Sequence, residues 1–289
     1  MNGKSGISVL LAVVSCVAAG GTVTLAPAAG VTTNAFQLFT GDTAVEIAGP
    51  GTVALLNPAN SYTGGTTLSG GTLELSDNIA AGDHSPVGAG TLTVSGGTLR
   101  GSGTFARDIT GTGAVAIEAS DGWAWAGGNT FSAAATVADG TLEIVDGETT
   151  FRNGLTVAAG ASVSVTGGTL GFNTVSGAGT IAVDGGTLAN SKANGSARTG
   201  FEWISASLSS LTVGAAGLTF TTGNGSSAGL AQIKMPIVST AAGAGVTFKK
   251  GDWGYYAYVS LELIAHSASL CLRGYHGRIA YERHIIAEE

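Results

Sequence analysis

The chain has 289 residues, of which 48 are glycine, and only 11% of the residues are charged. The formal net charge of −7, with no basic cluster in residues 1–248, argues against binding nucleic acid or docking electrostatically on an anionic membrane. The apolar content of 44% is enough for a buried core, so disorder is the weaker interpretation.

The N-terminal segment, residues 1–19, has the layout of a secretory signal peptide. Lys4 gives a weakly positive start, residues 7–17 form an apolar run, and the small residues at 17–19 form a cleavage pattern. The apolar run is too short to span a bilayer. Two alternatives stay open: a lipoprotein signal with Cys16 as the acylated residue, and a buried β-strand.

A Gly-Gly-Thr-Leu phrase recurs along the middle of the chain at uneven intervals. Its threonine lies at 72, 98, 169 and 187, and a related Asp-Gly-Thr-Leu phrase has its threonine at 141. Each phrase adjoins short runs of alternating polar and apolar residues, which predict β-strands with one apolar face. The predicted inward residues are Leu92, Val94, Val163, Val165, Ile181 and Val183. Glycine suits the corner between strands because it reaches positive φ without a steric penalty, and we expect this at the second glycine of each pair, Gly97 and Gly186.

The repeated unit predicts an all-β fold in which successive coils stack as a parallel β-solenoid. A unit of two short strands cannot bury its own apolar face, whereas stacked coils bury a continuous core. An antiparallel sandwich or meander is the competing interpretation. It is disfavoured because the unit is a near-copy of itself and because Asn-Gly and Asp-Gly hairpin signals are few.

Two adjacent segments, "NPANSYTGGTTLSGGTLEL" (57–75) and "SPVGAGTLTVSGGTLRGSG" (85–103), resemble the autotransporter-associated β-strand repeat of bacterial passenger domains. The matching residues are Asn60, Tyr62, Gly64, Gly65, Thr66, Gly70, Gly71, Thr72 and Leu73, and then Gly88, Gly90, Leu92, Gly96, Gly97, Thr98 and Leu99. Degenerate copies continue to about residue 190. The resemblance implies a right-handed parallel β-helix that is exported and displayed.

These features divide the chain into five predicted parts. They are a signal peptide (1–19), N-terminal strands or a cap (20–56), the repeats (57–190), degenerate solenoid coils (191–250) and an atypical C-terminal tail or cap (251–289).

The C-terminal tail departs from the family pattern, in which a complete member ends in an outer-membrane barrel. Residues 255–265 alternate like a single barrel strand, and one strand does not make a barrel. We therefore expect the outer-membrane translocator not to be encoded in this chain, and a truncated or frameshifted reading frame is the alternative. The two cysteines, Cys16 and Cys271, predict no disulfide framework.

Candidate chemical groups are dispersed. The densest acidic group is Asp139, Glu143, Asp146 and Glu148, where alternation places Glu143 outward and Asp146 and Glu148 beside a glycine turn. Arg107 and Asp108 adjoin another corner, and His84 lies in a turn between Asp83 and Ser85. Calcium-binding nonapeptides, a P-loop and a dinucleotide fingerprint are absent from the sequence. We predict no catalytic, cofactor-binding or metal-binding residues.

Trp123 and Trp125 lie on the same face of a predicted strand. Exposed, they would stack on sugar rings or on a partner; buried, they would form a bulky core layer. The resulting functional expectation is a non-enzymatic, exported, surface-displayed stalk or adhesin-like module whose partner is a cell-surface glycan or protein. Two alternatives are a carbohydrate-active β-helix enzyme, which needs carboxylates and an arginine converging in a groove, and a module that assembles end to end.

Overall fold

The computed structural model describes residues 7–9, 20–75, 79, 82, 84–190, 201–221, 231–233, 235–241, 244–249, 263–264 and 269–272. Its regular elements are strands, and every strand pairing is parallel. Within the described residues no helix is long and apolar enough to cross a membrane. The predicted all-β parallel solenoid is confirmed, and the antiparallel alternative is excluded.

The first strands are β1 (Ile7–Val9), β2 (Thr22–Leu25), β3 (Val31–Ala35), β4 (Ala44–Ile47), β5 (Thr52–Leu55), β6 (Thr66–Leu68), β7 (Thr72–Leu75), β8 (Leu92–Val94), β9 (Thr98–Gly101) and β10 (Gly103–Phe105). The middle strands are β11 (Ile109–Gly111), β12 (Val115–Trp125), β13 (Asn129–Phe131), β14 (Ala135–Ile144), β15 (Glu148–Phe151), β16 (Leu155–Val157), β17 (Ser162–Val165), β18 (Thr169–Phe172), β19 (Val175–Gly177), β20 (Thr180–Val183) and β21 (Thr187–Asn190). The last strands are β22 (Phe201–Ile204), β23 (Ser210–Val213), β24 (Leu218–Thr221), β25 (Ala231–Ile233), β26 (Ile237–Ser239), β27 (Gly245–Lys249), β28 (Leu263–Ile264) and β29 (Ser269–Leu272).

The strands form three faces around the core. Face 1 is the 12-stranded sheet β2-β4-β6-β8-β11-β13-β15-β18-β21-β24-β27-β29. The 17-stranded sheet contains the other two columns. Face 2 runs through β3, β5, β7, β9, the first half of β12 and onward, and face 3 runs through β10, the second half of β12, β17, β20 and onward. From β11 to β27, each coil therefore visits faces 1, 2 and 3 in turn.

Coil length varies because the loops at the corners differ. On face 1, the shortest step carries the chain from Leu92 to its partner Ile109, and the longest carries it from Thr187 to Thr219. Solenoids tolerate such insertions because the stacking of the strands, and not the loops, carries the core.

Alternation along the strands places one set of side chains in the core. All six predicted inward residues, from Leu92 to Val183, are at most 1% exposed. The outer residues of the same strands, such as Thr93 and Ser164, are partly exposed. A closed coil therefore buries the inner side of each parallel sheet without the covering helices that open parallel sheets need.

The Gly-Gly-Thr phrases lie at corners of the coil, but not always at the same corner. Gly71 (φ +68°) and Gly97 (φ +90°) connect face 1 to face 2, whereas Gly168 (φ +57°) connects face 3 to face 1. The expected positive φ is confirmed at Gly97. For Gly186 it is wrong, because the first glycine of that pair, Gly185 (φ +99°), has the left-handed conformation.

The described strands of the N-terminal and C-terminal predicted parts pair with the same sheets as the repeats. β22 to β27 continue the same faces beyond residue 200, and β28 and β29 extend faces 3 and 1 into the predicted tail. β1 pairs with β3, and the rest of the predicted signal segment 1–19 lies outside the described residues. The predicted boundaries at 56, 190 and 250 stay predictions.

Candidate functional site

Two of the four carboxylates in the densest acidic group of the sequence bind the backbone at corners of the coil. The carboxylates of Asp139 and Asp146 accept hydrogen bonds from the backbone N–H groups of Gly140 and Gly147, at 2.9 and 2.7 Å. Glu148 accepts one from the Thr150 hydroxyl at 3.0 Å. Glu143 points outward, as predicted, from between two buried residues. No group of three His, Cys, Asp or Glu that could hold a metal ion exists among the described residues.

Arg107 and Asp108 bind backbone atoms of neighbouring segments. The Arg107 guanidinium donates hydrogen bonds to the carbonyl oxygens of Gly82, Ala89 and Gly90 at 2.6–2.9 Å. These bonds hold the loop before β8 against the coil. The Asp108 carboxylate accepts from the Gly128 N–H, one coil further on, at 2.7 Å. These contacts give both side chains structural roles.

His84 and Ser85 do not form a catalytic pair. The exposed His84 ring approaches the carbonyl of Ala59 at 3.4 Å, and the buried Ser85 hydroxyl donates to the carbonyl of Gly88 at 2.8 Å. A serine nucleophile needs its hydroxyl directed at a base. The Ser85 hydroxyl is instead part of a turn. Asp83 lies outside the described residues.

Trp123 and Trp125 are both buried, at 1% and 0% exposure, which excludes their use as an exposed stacking platform. Their rings meet edge to face at 5.2 Å. Room for this bulk comes from glycines of neighbouring strands. A Cβ at Gly101 would lie 2.4 Å from Cε2 of Trp123, and one at Gly111 would lie 2.1 Å from Cδ1 of Phe131, the ring that stacks on Trp125.

One convergence of charge was not predicted from the sequence. Glu74, Arg100 and Glu118 lie one above the other on face 2 in three successive coils. Arg100 Nε donates to Glu118 at 2.7 Å, and Arg100 Nη1 lies 3.5 Å from Glu74. Partial burial opposes the charge of Arg100, but the hydrogen bond and charge of Glu118, with those of Glu74, outweigh it and raise the pKa of the guanidinium.

This charge triad contains two carboxylates and an arginine, the groups that a carbohydrate-cleaving site needs. The geometry of the three side chains distinguishes such a site from a structural ion pair. All three side chains are partly exposed on a strand face, and each carboxylate faces the arginine between them. The arrangement is an ion-pair ladder between coils. A signal was present in the sequence: Glu74 and Arg100 hold the same position after two Gly-Gly-Thr-Leu phrases, in "GGTLEL" and "GGTLRG".

The residues of the "NSYTGGTT" phrase form a buried polar network. Asn60 is fully buried; its Oδ1 accepts from the Phe39 N–H at 2.8 Å, and its Nδ2 donates to the Pro86 carbonyl at 2.9 Å. It therefore connects the preceding and following coils. Buried polar groups need such partners, and losing one costs about 1–3 kcal/mol.

Tyr62 and Thr66 complete this network. The Tyr62 hydroxyl is hydrogen-bonded to Thr66 Oγ1, which also reaches the carbonyl of Val87 at 3.0 Å. Burial raises the pKa of the Tyr62 hydroxyl, and the Thr66 hydrogen bond and the charge of Arg107 offset only part of the rise. The phenol is thus kept protonated as a structural donor.

Asn129 repeats the role of Asn60 further along the solenoid. It is fully buried, accepts from the Ile109 N–H of the preceding coil at 3.0 Å, and donates to Thr149 Oγ1 of the following coil at 3.0 Å. A buried asparagine that joins three coils is therefore a recurring feature, found in two segments of different sequence.

Two segments of the chain match the model of a known family. The passenger-associated transport repeat family matches residues 48–75, which contain Asn60, and residues 110–144, which contain Asn129. These two segments are therefore similar to the passenger-associated transport repeat. The resemblance predicted from residues 57–75 is confirmed, while 85–103 lies outside the two matched segments. No curated protein and no solved structure gives a significant match to the chain.

The passenger repeat motif builds the coil. Asn60, Tyr62 and Thr66 form the buried network, and Leu73 is in the core. Gly65 (φ +84°) and Gly71 turn corners. A Cβ at Gly71 would lie 2.0 Å from the carbonyl oxygen of Gly49 in the preceding coil, so only glycine fits. The motif residues have structural roles and leave no assembled chemical group of their own at the surface.

Proposed function

We propose that this chain is an exported, surface-displayed passenger, in which the β-solenoid serves as a stalk or adhesin-like module and carries no catalytic centre. The observation that carries the proposal is the use of the motif: the residues that define the passenger repeat build corners, core and inter-coil hydrogen bonds. A long stack with a continuous core supplies rigidity and reach, which a display module requires.

We propose a cell-surface glycan or protein as the partner. Support comes from the outer side of face 1, where Thr67, Thr93, Thr110 and Thr130 occupy one register position in four successive coils. The hydroxyls of these four threonines can donate and accept hydrogen bonds to neutral polar groups such as those of a glycan.

Surface display is tested by labelling intact cells of the source bacterium. Thr110→Cys places a thiol on the exposed side of β11, and the matched control Ile109→Cys places one at a fully buried position. A membrane-impermeant maleimide is expected to label Thr110→Cys above the wild-type background on intact cells, and to leave Ile109→Cys unlabelled until the protein is unfolded. Labelling of Thr110→Cys only after the outer membrane is opened would contradict display and leave the fold untouched.

The absence of catalysis is tested on purified protein. Screening against pectins, glycans and ester substrates is expected to show no turnover, because Asp139 and Asp146 are engaged with the backbone at corners and Glu74 and Glu118 are engaged by Arg100. Turnover that disappears in Glu118→Gln or Glu143→Gln would replace the stalk with a carbohydrate-active enzyme.

A further inference from the structure

One surface corner, between β15 and β16, holds an asparagine followed by a glycine. Asn153 is exposed, and Gly154 has φ +104°. Glycine has no Cβ to shield its backbone nitrogen from the preceding side chain. The Gly154 N–H has a weak acceptor, the Phe151 carbonyl at 3.5 Å, which is at the limit of a hydrogen bond.

We infer that Asn153 is a site of spontaneous backbone-assisted deamidation. The Gly154 nitrogen loses its proton to water or hydroxide and attacks Cγ of Asn153. The Cγ–Nδ2 bond breaks, ammonia leaves, and a five-membered imide forms. Water then opens the imide at either carbonyl and yields aspartate or isoaspartate. The reaction consumes one water, releases one ammonia and involves no change of oxidation state.

None of the other described asparagines is both exposed and followed by a glycine. Asn57 precedes a proline, which has no N–H to attack. Asn60 and Asn129 are fully buried with both side-chain ends hydrogen-bonded. In addition, the N–H after Asn60 is held by the Phe39 carbonyl at 3.0 Å. The chain thus contains its own controls.

The modification would weaken the contact between two coils. The Asn153 side-chain amide donates to the carbonyl of Ser132 in the preceding coil. A carboxylate in its place has no proton to donate and brings two acceptor oxygens against that carbonyl. Isoaspartate also lengthens the backbone at the corner. We therefore expect the modified chain to lose protection at the junction of β13 and β15.

The test is peptide mapping by mass spectrometry after incubation of the full chain at mildly alkaline pH. The map must separate Asn153 from the other Asn-Gly pairs at 2, 194 and 224. The product at Asn153 is expected to form at least about tenfold faster than at Asn60 or Asn129, which corresponds to a barrier lower by about 1.4 kcal/mol. Equal rates at Asn153 and Asn129 in the native protein would overturn the inference.

A pair of variants separates the chemistry from its consequence. Asn153→Gln keeps an amide donor but forms the larger ring less readily, so the product at 153 is expected to disappear while hydrogen-exchange protection at Ser132 stays near wild type. Asn153→Asp mimics the product and is expected to reduce that protection. Full protection in Asn153→Asp would show that the modification does not affect the junction, and continued ammonia release with an unchanged map at 153 would place the reaction elsewhere.

Discussion

Replacing Gly97 by alanine tests whether the corner glycines are required by both conformation and contact. Gly97 has φ +90°, a conformation that costs a residue with a Cβ about 1–2 kcal/mol. Its Cβ would also lie 2.6 Å from the carbonyl oxygen of Gly71 in the preceding coil. That oxygen accepts the Thr98 N–H at 2.8 Å, so displacing it strains an inter-coil hydrogen bond as well.

Gly160 is the matched control because only the first cost applies there. Its φ of +83° is nearly the same, but nothing lies within 4 Å of the added Cβ. Overpacking against a fixed neighbour costs about 1–3 kcal/mol beyond the conformational strain. We therefore expect Gly97→Ala to destabilise its coil by about 2–5 kcal/mol, and Gly160→Ala by about 1–2 kcal/mol.

Hydrogen exchange read by mass spectrometry distinguishes the two variants coil by coil. The loss in Gly97→Ala is expected in peptides covering β7 and β9, since coil energies couple mainly to adjacent coils. Thr98→Ser, a change on the outer side of the same corner, is expected to stay within about 0.5 kcal/mol. If Gly97→Ala and Gly160→Ala lost equal protection, the close approach between corners would not be a stabilising constraint.

Three further predictions concern the core and the charge triad. Trp203→Phe removes the hydrogen bond from Nε1 to the Phe172 carbonyl (3.2 Å), whereas Trp125→Phe removes a buried Nε1 that has no acceptor. The loss of stability measured by hydrogen exchange should therefore be about 1–2 kcal/mol larger for Trp203→Phe, and equal losses would contradict this. Since burial raises the pKa of Tyr62 above its unfolded value of about 10, the contribution of Tyr62 to stability is complete below pH ~10 and falls as pH rises further. Tyr62→Phe should reduce the loss of stability at alkaline pH measured by circular dichroism. An unchanged dependence of stability on pH would contradict this. Arg100→Met should lower the free energy of unfolding by no more than about 1 kcal/mol, and by less at high salt, because the ion pairs of Arg100 are partly exposed. A larger loss that does not depend on salt in urea unfolding would contradict the assignment of Arg100 to a partly exposed ion-pair ladder.

The fold class was predictable because its signals are local. Alternating pairs such as Leu92 and Val94 identify strands, and the glycine pairs identify corners. Which corner a glycine pair occupies was not predictable, since the same phrase turns from face 1 to face 2 at Gly97 and from face 3 to face 1 at Gly168. The uneven spacing of the repeats follows from this mixed use and from variable loops.

Features that depend on contacts between coils could not be predicted from the sequence. The burial of Trp123 depends on space left by Gly101 in another strand. The charge triad depends on the register of Glu74, Arg100 and Glu118, which lie at unequal distances along the chain. Asn60 is recognisable in the sequence as a residue of the repeat motif, but only its two hydrogen bonds to neighbouring coils show what it does in the fold.

The stacked-coil account is tested most directly by a distance between two spin labels on face 1. Thr24 and Thr130 point outward in one register column, separated by five coil steps through Glu46, Thr67, Thr93 and Thr110. Each step along the column spans about 4.8 Å. Pulsed electron paramagnetic resonance on a spin-labelled Thr24→Cys, Thr130→Cys variant should therefore give a distance of about 24 Å between the labels, and the Thr24–Thr110 pair, one step shorter, about 19 Å. A Thr24–Thr130 distance no longer than the Thr24–Thr110 distance would mean that the chain folds back between 110 and 130, and would contradict the parallel stack.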